Sequence, residues 1–282
     1  MATPKRPVSP AFRPNTPHPL PAPEIDFASI APLEPPAEFF EQASALGIEF
    51  EPGDVERLGK FLACMLAFNE TTNLTSITEP AMAWRRHILD SLTLLAPLAE
   101  VPESGSLIDV GSGGGLPGIP LAVCCPKLAV TLLEATGKKA DFLGKVTAVL
   151  GLTNVRVVAE RAEVAGHDRG EKKAAGREGG CREMFDVATA RAVGRINVLA
   201  ELVLPFVKEG GIALFIKGEK AVEELAEAVH AIAELGGSHV ATIETPTGRI
   251  VVIDKVKRTP RIYPRADGEP KRTPINAPRS KR

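Results

Sequence analysis

The sequence predicts an α/β fold: a mostly parallel sheet with helices on both faces, ended by an antiparallel hairpin and preceded by a helical extension. Three observations predict it. From residue 106 onward, short apolar runs alternate with amphipathic stretches, the pattern of repeated strand–helix units. One apolar run, Leu107-Ile108-Asp109-Val110, passes directly into Gly111-Ser112-Gly113-Gly114-Gly115, the kind of junction at which such folds receive a ligand. Near the end, two strand-like runs flank Pro246-Thr247-Gly248, a connection short enough for a hairpin.

The elements follow in chain order. Residues 1–36 hold 11 of the 25 prolines and no sustained periodicity; such a composition buries too little apolar surface to offset chain entropy, so a disordered tail is expected. Lys5, Arg6 and Arg13 stand there without an acid among the first 20 residues, but the prolines break the amphipathic helix an organelle-targeting peptide uses. Residues 37–104 read as an N-terminal helical region. Val55, Leu58, Leu62, Met65 and Leu66 recur at helical spacing behind a candidate cap, Asp54, and Glu79-Pro80 opens a further helix with proline in its first turn. A domain over 105–256 contains predicted strands at 106–110, 129–134, 155–158, 185–189 and 211–216, helices at 138–150, 196–206 and 219–235, and the hairpin at 238–243 and 249–256. Residues 165–183, rich in Gly, Lys, Arg and Glu, interrupt this plan as a solvated loop insertion. Residues 257–282 form a basic tail.

Composition narrows the function classes. Apolar residues make up 44% and charged residues 24%, an ordinary globular balance. No run approaches the ~18 apolar residues of a membrane span, and the first 30 residues lack a signal-peptide core, so a cytoplasmic protein is expected. Cys64, Cys124, Cys125 and Cys181 form no C-x-x-C pair, which points to reduced thiols and no metal. A net charge of -1 gives the whole chain no attraction for polyanions, but the charge is unevenly spread. From 255 to the end, ten Lys or Arg stand against only Asp267 and Glu269, a run that suits an extended contact with a nucleic acid backbone. Removing 258–282 is therefore expected to weaken RNA binding and spare cofactor affinity. Trp84 is the only Trp and Tyr263 the only Tyr, so base stacking is poorly supplied.

The glycine cluster carries the sharpest chemical signal. Without side chains, backbone approaches a ligand closely, and a following helix offers free N–H donors. Gly113, Gly115 and Gly118 satisfy G-x-G-x-x-G, so a dinucleotide site is one reading. Three features favour the class I S-adenosylmethionine-dependent methyltransferase (Rossmann-like) fold instead. Asp109, at the strand end, would crowd a pyrophosphate but suits a water or an ammonium. Pro117 and Pro120 remove N–H groups where a phosphate-binding helix needs them. The terminal hairpin is the third. Glu134 closes the second strand 19 residues beyond Gly115, where a carboxylate can accept both ribose hydroxyls of an adenosine.

Several strings then coincide: Asn73-Leu74-Thr75, Arg86-His87-Ile88-Leu89-Asp90-Ser91, Asp109 to Pro120, Thr189-Ala190-Arg191-Ala192-Val193, and Phe215-Ile216-Lys217-Gly218. Their order and spacing resemble the RsmG (GidB) family of 16S rRNA guanine-N7 methyltransferases over residues 40–265, and Thr259 to Arg265 with Pro274-Ile275 is similar to the tail of many members. The resemblance implies S-adenosyl-L-methionine as cofactor, held by Asp109, Gly111, Gly113, Gly115, Leu116, Glu134, Ala162, Glu163 and Arg191. Ala162-Glu163 would meet the adenine, and Arg191 would stand at the active-site edge. It implies 16S rRNA or the small ribosomal subunit as partner; a monomer is expected. Glu134-Ala135-Thr136 departs from the family's frequent Asp-Ser, and neither the proline-rich start nor the 165–183 insertion belongs to its pattern.

Guanine N7 carries a lone pair and no proton, so its methylation asks for alignment and no general base. Arg191 and Lys217 are the candidate catalytic residues: a guanidinium fork that suits a phosphate or guanine O6, and a charge ending the apolar strand Ile212 to Ile216, which either faces the pocket edge or reaches to water. His87 reads as packing or RNA contact, and Asn73 as a cap or a substrate-facing group. The rival readings are a small-molecule or protein methyltransferase, a nicotinamide-dependent oxidoreductase, and a non-enzymatic RNA-binding assembly factor.

Overall fold

A computed structural model describes residues 25–170, 180–191 and 194–275. The helical extension comprises α1 (Ala37–Ala45), α2 (Asp54–Asn69) and α3 (Pro80–Ala83), the last running through a π-helical turn (Trp84–Leu89) into α4 (Asp90–Leu92), then α5 (Leu95–Leu98). The sheet and its helices follow as β1 (Ser106–Val110), α6 (Gly118–Cys124), β2 (Ala129–Leu133), α7 (Gly137–Val149), β3 (Val155–Val158), α8 (Ala162–Ala165), β4 (Phe185–Arg191), α9 (Ile196–Val203), β5 (Val207–Lys217), α10 (Ala221–Glu234), β6 (Gly237–Thr245), β7 (Gly248–Lys255) and α11 (Glu269–Arg272). The expected strands, the 165–183 interruption apart, lie within a few residues of these. The proline at Glu79-Pro80 sits in the first turn as expected, and the Glu79 carboxylate accepts the Ala81 and Met82 N–H groups.

Strand order is β3-β2-β1-β4-β5-β7-β6. All neighbours are parallel except β5–β7 and β6–β7, which are antiparallel. This is the class I methyltransferase architecture. The order reverses between β1 and β4, so helices leave these two strands toward opposite faces and open a crevice at their carboxyl ends. Strand parity divides the core into two layers. Leu107, Val130, Leu132, Val187, Leu214 and Ile216 join the helical extension, α6 and α7 on one face. Ile108, Val110, Leu133, Ala188, Ala190, Ala213 and Phe215 meet α9 and α10 on the other.

Four expectations require correction. The disorder expected of residues 1–36 does not hold for residues 25–36. Residues 25–36 pack as an arm whose Phe27 is buried, with its ring 5.7 Å from Phe142 and 6.2 Å from Phe68. Leu33 N–H donates to Gly59 O at 3.1 Å, and a Cβ on Gly59 would lie 2.3 Å from the Leu33 oxygen. One aromatic and one glycine on α2 thus anchor a segment whose composition argued for disorder. Residues 1–24 lie outside the described residues.

The insertion at 165–183 is not wholly solvated either: Cys181 and Arg182 are buried, while 171–179 lie outside the described residues. Nor does the basic tail run free. Thr259 and Tyr263 are buried, and Arg265 forms a two-pronged pair with the fully buried Glu201, Nη2 to Oε2 at 2.6 Å and Nε to Oε1 at 2.9 Å. The tail is basic, but a buried acid on α9 recruits one of its charges into the fold. Residues 276–282 lie outside the described residues.

Asp54 is the first helical residue and not the cap; Gly53 caps α2 in a left-handed conformation, and Asp54 accepts from Glu51 N–H at 3.0 Å. Because Phe27 joins the arm to two aromatics of the main core, Phe27→Ala should cost about 3–5 kcal/mol in a denaturant titration. A loss below about 1 kcal/mol would mean that the arm adds little to the core.

Candidate functional site

The site grows from the end of β1. Gly111 turns the chain at φ 74°, a left-handed conformation that disfavours any side chain, and its N–H and that of Ser112 both donate to Leu133 O on β2. Asp109 has no exposed surface. Its Oδ2 accepts the Gly118 N–H at 3.1 Å, while its Oδ1, among the described residues, has no hydrogen-bond partner. A Cβ on Gly118 would lie 2.9 Å from that Oδ2 and 2.3 Å from Leu132 Cδ2. Gly118 is therefore the glycine that lets α6 close onto the strand. The dinucleotide reading fails here, since the first N–H of α6 is taken up by a carboxylate and Pro117 caps the helix.

Burial pushes the Asp109 carboxyl up to about 7, against the lowering influence of the Gly118 N–H and the Arg191 charge. An unmatched buried acceptor costs about 1–3 kcal/mol, and a ligand ammonium or ordered water supplies what it lacks. The site thus fits a cofactor with a cationic amino-acid end.

Glu134, also buried, holds the glycine loop from β2: Oε2 accepts Gly113 N–H at 2.9 Å and Oε1 accepts Thr136 N–H at 2.7 Å. Beside it lies a cavity of about 220 Å³, lined by Gly111 and Glu134, by Glu160 to Glu163, by Val198 of α9, and by Gly268, Pro270 and Lys271. Gly111, Glu134, Ala162 and Glu163 therefore meet at one cavity. Asp109 and Gly113 stand just beneath the turn and do not line it. Gly115 and Leu116 face inward. A Cβ on Gly115 would lie 2.4 Å from Ile119 Cδ1, and Leu116 packs against the core under α2 and α6.

The C-terminal segment was the missed wall. Glu163 Oε1 accepts Gly268 N–H at 3.0 Å, and Arg161 pairs with Asp267, so this segment closes the cavity from outside. Removing 258–282 would therefore take away part of the wall of this cavity. No local motif marks Gly268 or Pro270 as lining residues; the Arg265–Glu201 pair and the contacts to Glu163 and Arg161 bring them there.

Parity separates the two candidate catalytic residues. Arg191 leaves β4 on the face of Asp109. Its Nε lies 3.3 Å from Asp90 Oδ2, its Nη2 donates to Arg86 O at 2.5 Å, and its Nη1 is buried and, among the described residues, unpartnered. Asp90 also accepts from Thr247 at the hairpin tip, and Arg86 donates to Thr247 O at 3.3 Å. The π-helical turn before Asp90 aims this carboxylate, a role that the sequence alone left unassigned. Lys217 leaves β5 on the other face: its Nζ lies 2.7 Å from Glu224 of α10 and donates to Gly194 O at 2.7 Å. The expectation that Lys217 faces the pocket is corrected. Its ammonium secures the loop after β4. Asn73 is exposed, and the neighbouring Asn69 caps the loop by accepting Leu74 and Thr75 N–H groups.

The family profile described as GidB, rRNA small subunit methyltransferase G, matches residues 54–250. The chain belongs to the GidB family. A relative named Ribosomal RNA small subunit methyltransferase G from Sorangium cellulosum is 48% identical over 246 residues, covering 87% of this chain and 96% of its own. One of the same name from Alkaliphilus metalliredigens is 40% identical over 82% of this chain and 94% of its own. Among solved structures, a mutant of MtNAS in complex with S-adenosylmethionine superposes with a TM-score of 0.46 at 16% identity, over 71% of this chain and 75% of that one. That likeness is too distant to bear on function.

His87, buried in the π-helical turn that sets up the GidB-family site, shares a hydrogen bond with Thr75 Oγ1 at 3.0 Å. Burial, then the Arg191 charge, lower it to about 4. The unfolded imidazole takes up its proton near 6.5 while the folded one does not, so stability falls as pH drops from about 6.5 toward 4. His87→Gln, which has no such proton, should flatten this fall relative to the unaltered chain by on the order of 3 kcal/mol. Parallel stability–pH curves for the two proteins would refute the assignment.

Proposed function

We propose that this chain transfers the methyl group of S-adenosyl-L-methionine to N7 of a guanine in small-subunit (16S) ribosomal RNA, acting as a monomer in the cytoplasm. The observation that carries the reading is the match to the GidB family across residues 54–250, joined to a crevice in which Gly111, Glu134 and Ala162–Glu163 converge. Relatives named for methylation of the small ribosomal subunit RNA support the substrate class.

The cofactor supplies an electrophilic methyl carbon on a sulfonium. Glu134 accepts ribose hydroxyls in exchange for part of its hold on the Gly113 and Thr136 N–H groups. Asp109 offers its unpartnered Oδ1 to the amino-acid end. Arg191, fixed by Asp90 and by the Arg86 carbonyl, keeps Nη1 for the substrate, either guanine O6 or a phosphate. Since N7 brings no proton, these residues act by alignment and by electrostatics prepared before the reaction. Arg191 supplies a donor whose orientation is already paid for in folding. The glycine turn lets backbone approach the cofactor without side-chain obstruction.

Three measurements test this. Small-subunit rRNA from cells lacking the protein should lose one N7-methylguanine that its return restores; an unchanged map would sink the substrate assignment. Glu134→Ala should weaken S-adenosylmethionine binding by about 1.5–3 kcal/mol in calorimetry, and undiminished affinity would remove Glu134 from the site. Asp109 gives up its proton to meet an ammonium, so cofactor affinity should rise with pH toward about 7 and level off above it. Asp109→Asn should bind weakly with no such dependence; a variant that retains the pH profile would clear Asp109 of this role.

A further inference from the structure

On α8, Ala162 and Glu163 line the cofactor cavity, and the chain running on from that helix enters a second one. His167, Arg169, Arg182 and Arg261 surround a cavity of about 270 Å³. Arg182 is the built part. It is 5% exposed and donates from Nη1 to Gly166 O and Tyr263 O, both at 2.7 Å, and from Nη2 to Thr259 O at 2.8 Å and Pro260 O at 3.2 Å. All four acceptors are neutral carbonyls, and its Nε, among the described residues, is buried without a partner. Among the described residues, no carboxylate accepts from this guanidinium.

Arg169 and Arg261 are exposed and form no ion pair among the described residues. Of the acids beside Arg169 and Arg182 in sequence, Asp168 Oδ1 accepts Gly170 N–H at 2.9 Å and Glu183 Oε1 accepts Thr259 N–H at 3.0 Å. The Arg169 and Arg261 charges are close enough to join burial in weakening the proton affinity of Arg182, with Glu183 opposing them. His167 Nε2 lies 2.7 Å from Pro264 O, which fixes the ring on the rim. A folded protein gains nothing by gathering three like charges around a cavity unless an anion is to enter it.

We infer that His167, Arg169, Arg182 and Arg261 form a subsite for a backbone phosphate of the RNA substrate. The inference rests on the rRNA reading above and adds to it a place where the RNA is held. Phosphate is the chemistry that suits forked donors of this kind. Trp84 has no exposed surface and Tyr263 is 9% exposed, so neither ring offers a stacking face beside these arginines. The site also explains why the insertion and the C-terminal segment, distant in sequence, are tied together through Arg182. Phosphate contacts position a nucleic acid without reading its sequence, so the subsite serves affinity and register and leaves the choice of base to the crevice.

The test uses the full chain with Arg169→Ala and Arg261→Ala combined, since both side chains are exposed and Arg182 is left to hold the fold. Binding of transcribed small-subunit rRNA, of assembled small subunits and of inorganic phosphate would be measured at 50 and 200 mM salt, beside S-adenosylmethionine titration. Naked rRNA affinity should fall about tenfold or more at low salt. The salt slope should shrink by about 1.4, at ~0.7 per contact, and cofactor affinity should be unchanged. Unaltered rRNA affinity and slope would overturn the subsite while leaving the methyltransferase reading intact. So would a loss confined to assembled subunits, which points to a protein surface, or one confined to inorganic phosphate. Loss of cofactor affinity in the variant would make the pair structural and likewise overturn it. If the unaltered chain binds and methylates no rRNA, the functional reading itself falls and the subsite with it.

Discussion

Alternate residues of a strand point to opposite faces, and in β1 and β4 this rule sends Asp109 and Arg191 into the same layer. Nearly everything at the site follows from that shared face. Asp109 meets the α6 terminus through Gly118 N–H, which draws helix and strand to a distance only glycine tolerates. Arg191 meets the helical extension through Asp90 and the Arg86 carbonyl. The two charges then influence one another across a dry interior, where such influence is strong, and each keeps one atom unpartnered among the described residues. Two buried polar atoms left without partners are a cost to folding.

Around this centre the fold uses long-range returns. The hairpin tip comes back to the helical extension, with Thr247 bonded to both Asp90 and Arg86, so the antiparallel end of the sheet supports the two groups that hold Arg191. The C-terminal segment returns across α9, where Arg265 finds Glu201 in a setting with no exposed carboxylate surface. Breaking such a pair strands a buried charge, which makes the pair a firm anchor for Gly268 and Pro270 over the cavity beside Glu134. Lys255 is handled similarly: buried, lowered to about 8 by desolvation, and bonded to Leu204 O and Thr259 Oγ1. Some of the positive charge near the end of the chain, that of Lys255 and Arg265, therefore serves the fold, while the exposed Arg261 does not.

Local chemistry by itself determined the alternation of strands and helices, the glycine turn after β1, the carboxylate at the end of β2, and the proline in the first turn of α3. Each rests on periodicity or on the backbone needs of a few adjacent residues, and each stands where the sequence put it. Parity would also have separated Arg191 from Lys217, had the register of β4 and β5 been known. The tertiary structure alone decided which charges pair. Nothing local tells Phe27 that Phe68 and Phe142 await it, or Arg265 that Glu201 lies buried 64 residues earlier. Nor does it say that Arg182 will sit among four carbonyls. Burial of a charge or an aromatic is settled by what arrives from distant parts of the chain, and its energy depends on the dielectric and packing found there.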